Sequence, residues 1–264
     1  MSDLQPFRGR VLTVAGTDPT CGAGIPMDLN MITRLGGIPQ AAVTAVTVQD
    51  TSQVTLVHPL SASLVAQQMR AAINDIGVDC IKLGMLATAE IVKAVVEILE
   101  ENPHIPVVAD PVLAGTGGGV LLNRDGLDVW HRNLLPRLTL ITPNLPEARI
   151  LITAMTSQPP PADPPILAIS LTSPGCSVLL KGGHGEDGIV VDWLAHRGQV
   201  FPHHHPRLPG KPFHGTGCAL ASAIATGIAL GQPLELAVAK GLATVLKAMD
   251  NGIAPGRGQR LLRP

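Results

Sequence analysis

The succession of short apolar runs and helical-period segments constrains this chain more than any other property of its sequence. Arg10–Ala15 (RVLTVA) has the pattern of a buried strand closed by Gly16, a glycine-rich turn runs to Gly24, and Ile25, Leu29, Ile32 and Leu35 then recur at helical spacing. The alternation repeats: Gln40–Val48, Cys80–Met85, Pro106–Ala109 and Leu138–Thr142 read as strands, with helical stretches at Leu64–Ile73 and Thr88–Glu100. Ser177–Lys181 and Gly188–Leu194 read as two more strands, the second in a hairpin near a sheet edge, and Cys218–Leu230 and Pro233–Met249 as helices. Strands separated by helices imply crossover connections, hence an α/β fold with a central, mostly parallel sheet and helices on both faces. Ligands of such sheets collect at the C-terminal ends of the strands, which directs attention to the residues that follow each strand.

Bulk properties narrow the function classes. A length of 264 residues with 45% hydrophobic content suits one domain spanning residues 1–264. Nineteen Lys and Arg are scattered and the formal net charge is -1, so the chain carries no footprint for a nucleic acid. Cys218–Gly231, the longest run of small and apolar residues, is interrupted by Ser222 and Thr226 and is shorter than the roughly 20 residues of a membrane span. Met1–Arg10 lacks the apolar stretch of a secretory signal, and a cytoplasmic location is expected. Cys21, Cys80, Cys176 and Cys218 lie far apart without a C-x-x-C pair, against a disulfide framework or a structural zinc site. Gln158–Pro165 (QPPPADPP) reads as a stiff exposed linker, and His203–His205, set among prolines, as a solvated loop rather than a metal site.

Three places after strands carry the chemistry. In His214-Gly215-Thr216-Gly217-Cys218, glycines at a helix start let backbone N–H groups and the helix dipole face an anion, so a phosphate fits there. Lys181, at a strand end before Gly182-Gly183-His184, can set an ammonium against a phosphate chain. Asp110 and Glu147, also after strands, can hold Mg²⁺ directly or through water, although either could instead cap a helix. An anion nest, a lysine and a carboxylate pair together are the parts of a phosphoryl-transfer site.

Seven motifs appear in one order: Ala15-Gly16-Thr17-Asp18-Pro19, Gly22-Ala23-Gly24-Ile25, Lys82-Leu83-Gly84-Met85-Leu86, Asp110-Pro111-Val112, Thr142-Pro143-Asn144-Leu145-Pro146-Glu147-Ala148, Lys181-Gly182-Gly183-His184 and His214-Gly215-Thr216-Gly217-Cys218. This order resembles that of the hydroxymethylpyrimidine/phosphomethylpyrimidine kinases of the ribokinase-like superfamily, from about Val11 to Met249. The resemblance implies transfer of the γ-phosphate of Mg-ATP to 4-amino-5-hydroxymethyl-2-methylpyrimidine, and a second transfer to its monophosphate, in thiamine biosynthesis. It implies ATP and Mg²⁺ as cofactors and a homodimer. By the same resemblance Cys218 is the general base, Gly215, Thr216 and Gly217 with Lys181 hold phosphate, Asp110 and Glu147 are the magnesium-linked acids, and Asp28, Gln49 and Met85 hold the pyrimidine. A helix N-terminus is also expected to lower the Cys218 thiol pKa from about 8.5, although a neighbouring triphosphate opposes that shift.

The chain departs from the family pattern at three places. Pro26 stands where the family has Gln, Leu113-Ala114-Gly115-Thr116-Gly117-Gly118-Gly119 replaces a lysine-containing flap, and Pro212-Phe213 replaces Asn-Thr. Proline is tolerated in a first helical turn, whereas an uncharged flap cannot bring a cation to phosphate. The acceptor therefore stays open between a hydroxymethylpyrimidine and a pyridoxal-type heterocycle. A non-catalytic binding protein of the same fold is a further alternative, opposed by the intact Asp110, Glu147, Lys181 and Cys218. A dinucleotide-binding dehydrogenase is disfavoured because Gly16–Gly24 does not supply G-x-G-x-x-G.

Overall fold

The computed structural model describes residues 8–113, 122, 124–182 and 188–264. Its frame is an eight-stranded sheet built from β1 (Arg10–Ala15), β2 (Ile38–Val43), β5 (Cys80–Leu83), β6 (Val107–Ala109), β7 (Leu140–Ile141), β8 (Ser177–Leu180), β9 (Ile189–His196) and β10 (Gln199–Pro206). The spatial order is β10-β9-β8-β7-β6-β5-β1-β2. All pairings from β2 to β8 are parallel, and the β8-β9-β10 edge is antiparallel. The mostly parallel sheet read from the alternation is thus present, and the strands β5, β6 and β8 are buried at every position, as two-sided cover demands.

Helices cover both faces. One core layer joins α2 (Ala62–Asp75), α3 (Ala89–Glu101), α5 (Leu145–Thr156) and α6 (Pro164–Ser170) to the sheet through residues such as Met69, Val95, Ile98, Leu151 and Leu167. The other joins α1 (Gly24–Arg34), α7 (Thr216–Ala229) and α8 (Leu234–Asp250) through Met31, Ile32, Ile224 and Val238. Burying each such large side chain contributes about 1.5–3 kcal/mol. Helix starts are marked chemically: the Ser61 hydroxyl accepts the Leu64 N–H and the Thr88 hydroxyl accepts the Ile91 N–H. The small residues of α7 let it lie close to α8, where a Cβ on Gly227 would stand 3.0 Å from the Ala237 Cβ. That packing lets α7 run from the sheet's C-terminal edge into the core while its first turn stays at the edge.

Three sequence expectations change. The run Gln40–Val48 is not one strand: the chain leaves the main sheet at buried Thr44, and β3 (Ala45–Gln49) pairs with β4 (Val54–Pro59) in a separate hairpin. Thr44 fixes the departure by donating its N–H to the Ala15 carbonyl and its hydroxyl to the Met85 carbonyl. The sequence there is an unbroken β-forming run, so nothing marks the exit. Second, the proline-rich stretch is not wholly linker, because Pro164 and Pro165 open α6, where missing N–H groups cost nothing. Third, His203–His205 lie in β10 rather than a loop. Pro202 and Pro206 are tolerated there because β10 is an edge strand.

Candidate active site

A cavity of about 810 Å³ opens where β1, β6, β7 and β8 end, and one end of it is a phosphate-sized cradle. Gly215 caps α7 with a left-handed φ of 76°, and a Cβ there would lie 1.9 Å from the Gly22 carbonyl oxygen. Only glycine lets the turn before α7 touch the loop before α1 in this way. Two residues on, a Cβ at Gly217 would stand 2.6 Å from Asp110 Oδ2 and 3.0 Å from Lys181 Nζ. The backbone, the carboxylate and the ammonium therefore converge on one point, beside the N–H groups of the first α7 turn that have no intrahelical partner. Gly215, Thr216, Gly217, Cys218, Lys181, Asp110 and Glu147 all line the cavity, as the sequence reading required of neighbours in one site.

Lys181 follows β8 and donates Nζ to Asp110 Oδ1 at 2.9 Å; the same oxygen accepts the Thr142 hydroxyl at 3.1 Å. Asp110 Oδ2 thereby faces Gly217 and the open cradle. Glu147 does what one alternative foresaw and caps a helix: its Oε2 accepts the Asn144 N–H at 2.8 Å, and Asn144 Oδ1 accepts the Glu147 N–H at 2.9 Å. The cap does not consume the whole carboxylate. Burial, with Asp110 adding to it, pushes the Glu147 carboxyl up to about 7 against the pull of Lys181. Hard oxygens from two carboxylates at a phosphate cradle fit a hydrated magnesium ion, which takes few protein ligands and completes its shell with phosphate and water.

The cavity wall also includes Gly16, Thr17, Thr47, Gln49, Val54 and Met85. Gln49 ends β3 and Met85 follows β5, and both line the cavity. Asp28 does not. It is 0% exposed and absent from the cavity wall, because it sits in the second turn of α1 on the face packed against the sheet. Its carboxylate accepts from Lys82 Nζ at 2.9 and 2.7 Å, from the Thr13 hydroxyl at 2.6 Å and from the Ser222 hydroxyl at 2.8 Å. Burial disfavours the charged form of the equally buried Lys82, but Asp28 foremost, with Cys218 and Asp110, together outweigh it and keep the ammonium charged. Ser222 is one helical turn below Cys218, so this cluster fixes the α7 face that carries the thiol. A charged residue inside the apolar strand CIKL was the signal available in the sequence.

The thiol itself departs from expectation. Cys218 is half-buried, and burial pushes it up to about 11 rather than down. Asp28 and Asp110 push the same way, while Lys82 and a hydrogen bond from the Gly24 backbone pull down without winning. Two buried residues the sequence reading passed over, Asp18 and His214, bind the two glycine loops together: His214 Nε2 donates to Asp18 Oδ2 at 2.8 Å. Asp18 also accepts the N–H groups of Thr20 and Ala23. Both residues stood inside quoted motifs, which was the only sign of them.

Of the departures, Pro26 falls in the first turn of α1 and leaves that helix intact, and Pro212 and Phe213 lie on the cavity wall. Leu113 is buried, but residues 114–119 of the uncharged flap, and Gly183 and His184 after Lys181, lie outside the described residues.

Comparison with known proteins follows the same lines. The family model described as phosphomethylpyrimidine kinase matches residues 18–263. The thiamine biosynthesis bifunctional protein ThiED of Geobacter sulfurreducens is 41% identical over 255 residues, which cover 96% of this chain and 52% of that protein, so this chain spans about half the length of that relative. The hydroxymethylpyrimidine/phosphomethylpyrimidine kinase of Salmonella typhimurium is 39% identical, with 83% of this chain and 82% of that protein covered. Among solved structures, the pyridoxal kinase of Staphylococcus aureus in complex with AMP-PCP and pyridoxal superposes with a TM-score of 0.83 at 29% identity, covering 96% of this chain and 92% of that one.

Proposed function

The chain belongs to the phosphomethylpyrimidine kinase family of phosphotransferases, and from that premise we propose that it transfers the γ-phosphate of ATP to the hydroxymethyl oxygen of 4-amino-5-hydroxymethyl-2-methylpyrimidine, and then a second phosphate to the resulting monophosphate, in thiamine biosynthesis. The observation that carries the proposal is the convergence of Gly217, Asp110 Oδ2 and Lys181 Nζ at the first turn of α7, in one cavity with Gln49 and Met85. Phosphoryl transfer asks mainly for positioning and charge neutralisation, and this end of the cavity offers both. The N–H groups of Gly215 to Cys218 receive the transferring phosphoryl oxygens, and Lys181 exchanges its contact with Asp110 for one with the nucleotide phosphates. Asp110 and Glu147 hold magnesium, which screens the phosphate charge when bound.

Cys218 takes the proton of the acceptor hydroxyl. A thiol whose pKa stands at about 11 is not a standing thiolate at neutral pH, so proton transfer accompanies phosphoryl transfer rather than preceding it. This ordering agrees with a loose transition state, in which the attacking oxygen needs little prior activation. Gln49 offers an amide to the aminopyrimidine edge and Met85 a thioether to the ring face.

The protein acts in the cytoplasm as a homodimer. Four unpaired cysteines suit a reducing compartment. A two-stranded hairpin is marginal in water, and the outward pair Val48 and Leu56, 53% and 55% exposed, offers an apolar face for a second copy. Sedimentation of the wild type and of Val48→Lys tests this: the substitution yields monomer if the hairpin face is the interface. The activity is tested by acceptor-dependent ADP formation with hydroxymethylpyrimidine, its monophosphate and pyridoxal. Turnover on the two pyrimidines supports the proposal. Turnover on pyridoxal alone replaces it with the pyridoxal-kinase reading that the similarity to the Staphylococcus aureus enzyme favours.

A further inference from the structure

Part of the cavity wall lies outside all of the phosphate-site motifs. After α8 the chain turns back, and β12 (Arg260–Leu261) pairs parallel with β11 (Phe213–His214), the segment that leads into the anion loop. The Arg260 N–H donates to the Pro212 carbonyl at 3.0 Å, its Nε to the Lys211 carbonyl at 2.7 Å and its Nη2 to the Pro209 carbonyl at 2.9 Å. Its guanidinium lies 3.8 Å over the centre of the Phe213 ring. Just before it, the strap meets the tip of the β3–β4 hairpin. Gln259 N–H donates to the Thr51 carbonyl at 2.8 Å, and Gly258 N–H donates to the Thr51 hydroxyl at 3.0 Å. A Cβ on Gly258 would stand 2.0 Å from the Thr51 carbonyl oxygen, so the two backbones touch without a side chain between them.

The strap thus ties the hairpin that ends in Gln49 to the segment that carries His214. Gln259 and Arg260 line the cavity, but they differ in what their side chains do. The Arg260 guanidinium is consumed by carbonyls and a ring. The Gln259 side-chain amide makes no hydrogen bond to another described residue, while its backbone is held at Thr51, two residues beyond Gln49. A half-buried amide with a fixed backbone and an uncommitted donor and acceptor is suited to reading a polar heterocycle edge.

We propose that the strap contributes a wall of the acceptor subsite through Gln259 and Arg260, and that Gln259 is a specificity-determining residue for the heterocyclic acceptor, binding its ring nitrogen or amino edge. The inference rests on the kinase reading above and names a contact with the acceptor, not with the nucleotide.

The experiment compares wild type, Gln259→Leu and Gly258→Ala in steady-state turnover with hydroxymethylpyrimidine, alongside KM for ATP and thermal melting. Gln259→Leu retains every main-chain hydrogen bond of the strap, so its fold is expected to be unchanged. Its acceptor KM rises about 5- to 10-fold, the effect of losing one or two neutral hydrogen bonds, with kcat and the ATP KM within about 2-fold of wild type. Gly258→Ala pushes the hairpin tip off the strap and raises the acceptor KM as well, with a lower melting temperature. An unchanged acceptor KM in a folded Gln259→Leu overturns the role of Gln259 while leaving the kinase reading intact. A rise in the ATP KM instead overturns it by moving the residue to the nucleotide side. Failure of the wild type to phosphorylate any heterocycle rejects the kinase reading itself, and the inference with it.

Discussion

The two ends of the cavity are built in opposite ways. The phosphate end is compact in design: Asp110 and Lys181 stand directly after parallel strands, and Gly217 opens a helix directly above them. Each element delivers its residue by the ordinary rule that parallel sheets present their C-terminal ends to ligands. The wall proposed for the acceptor is assembled from a hairpin that has left the main sheet, the turn after β5 and the returning C-terminal strap, with the hairpin and strap joined through Thr51. The first end depends on fixed charges and on the absence of side chains at two glycines. The second depends on how a marginal hairpin is held. Separate pieces of chain thus carry the two, so residues proposed for the acceptor can change without disturbing the cradle at Gly215 to Cys218.

That contrast can be attacked first where the energies are largest. Lys82→Met leaves the buried Asp28 carboxylate without its counter-ion beneath the α7 turn, and breaking such a pair costs about 3–5 kcal/mol. Urea unfolding is expected to show that loss, and Lys82→Met combined with Asp28→Leu to recover most of it. If the single variant were as stable as wild type, the cluster would not be what fixes α7.

Next comes Gly217→Ala, which places a methyl group 2.6 Å from Asp110 Oδ2 and 3.0 Å from Lys181 Nζ. It is expected to lower kcat by about 10²-fold, the scale of losing one oriented group at a developing charge, with little change in acceptor KM. Gln49→Leu should do the reverse, raising acceptor KM about 10-fold with kcat nearly preserved. Equal effects of both substitutions on kcat and KM would dissolve the distinction between the ends.

The smallest expected effect concerns the joint between the glycine loops. Burial raises the Asp18 carboxyl, but hydrogen bonds from His214, Thr20 and Gln49 outweigh it and hold the group at about 2. Because the folded value lies below the ordinary carboxylate value near 3.9, Asp18 contributes stability fully above about pH 4, and that contribution disappears as pH falls through about 2. Its size is on the order of 1–2 kcal/mol. Denaturation of wild type and Asp18→Asn at pH 6 and pH 2.5 should show the gap between them narrowing in acid. A gap independent of pH would remove the ionised Asp18 carboxylate as a source of stability at this joint.

Much of the phosphate end was legible in the sequence, since its residues follow apolar runs whose type was clear, and Gly215 to Cys218 preceded an unmistakable helix. Asp28 was assigned to the pyrimidine by resemblance alone, which does not say which sheet side chain a helix residue will meet; Lys82 across the core decides its place. The Cys218 pKa went the wrong way because the dipole of a helix start is readable locally, whereas burial and the carboxylates of Asp28 and Asp110 arrive from distant segments. The acceptor end was the least legible. Its hairpin hides in a continuous β-forming run at Thr44, and its strap acts through backbone contacts at Gly258 and Gln259 that no side-chain pattern announces.

Phosphorus NMR of the products formed from ATP, magnesium and hydroxymethylpyrimidine tests most directly whether the cradle at Gly215 to Cys218 transfers phosphate to a hydroxymethyl oxygen brought beside Cys218. The expected products are a phosphomonoester on the hydroxymethyl group, then a diphosphate at the same position, with both signals lost in Cys218→Ala. ADP with inorganic phosphate alone, or phosphate esters formed equally well by Cys218→Ala, would contradict it.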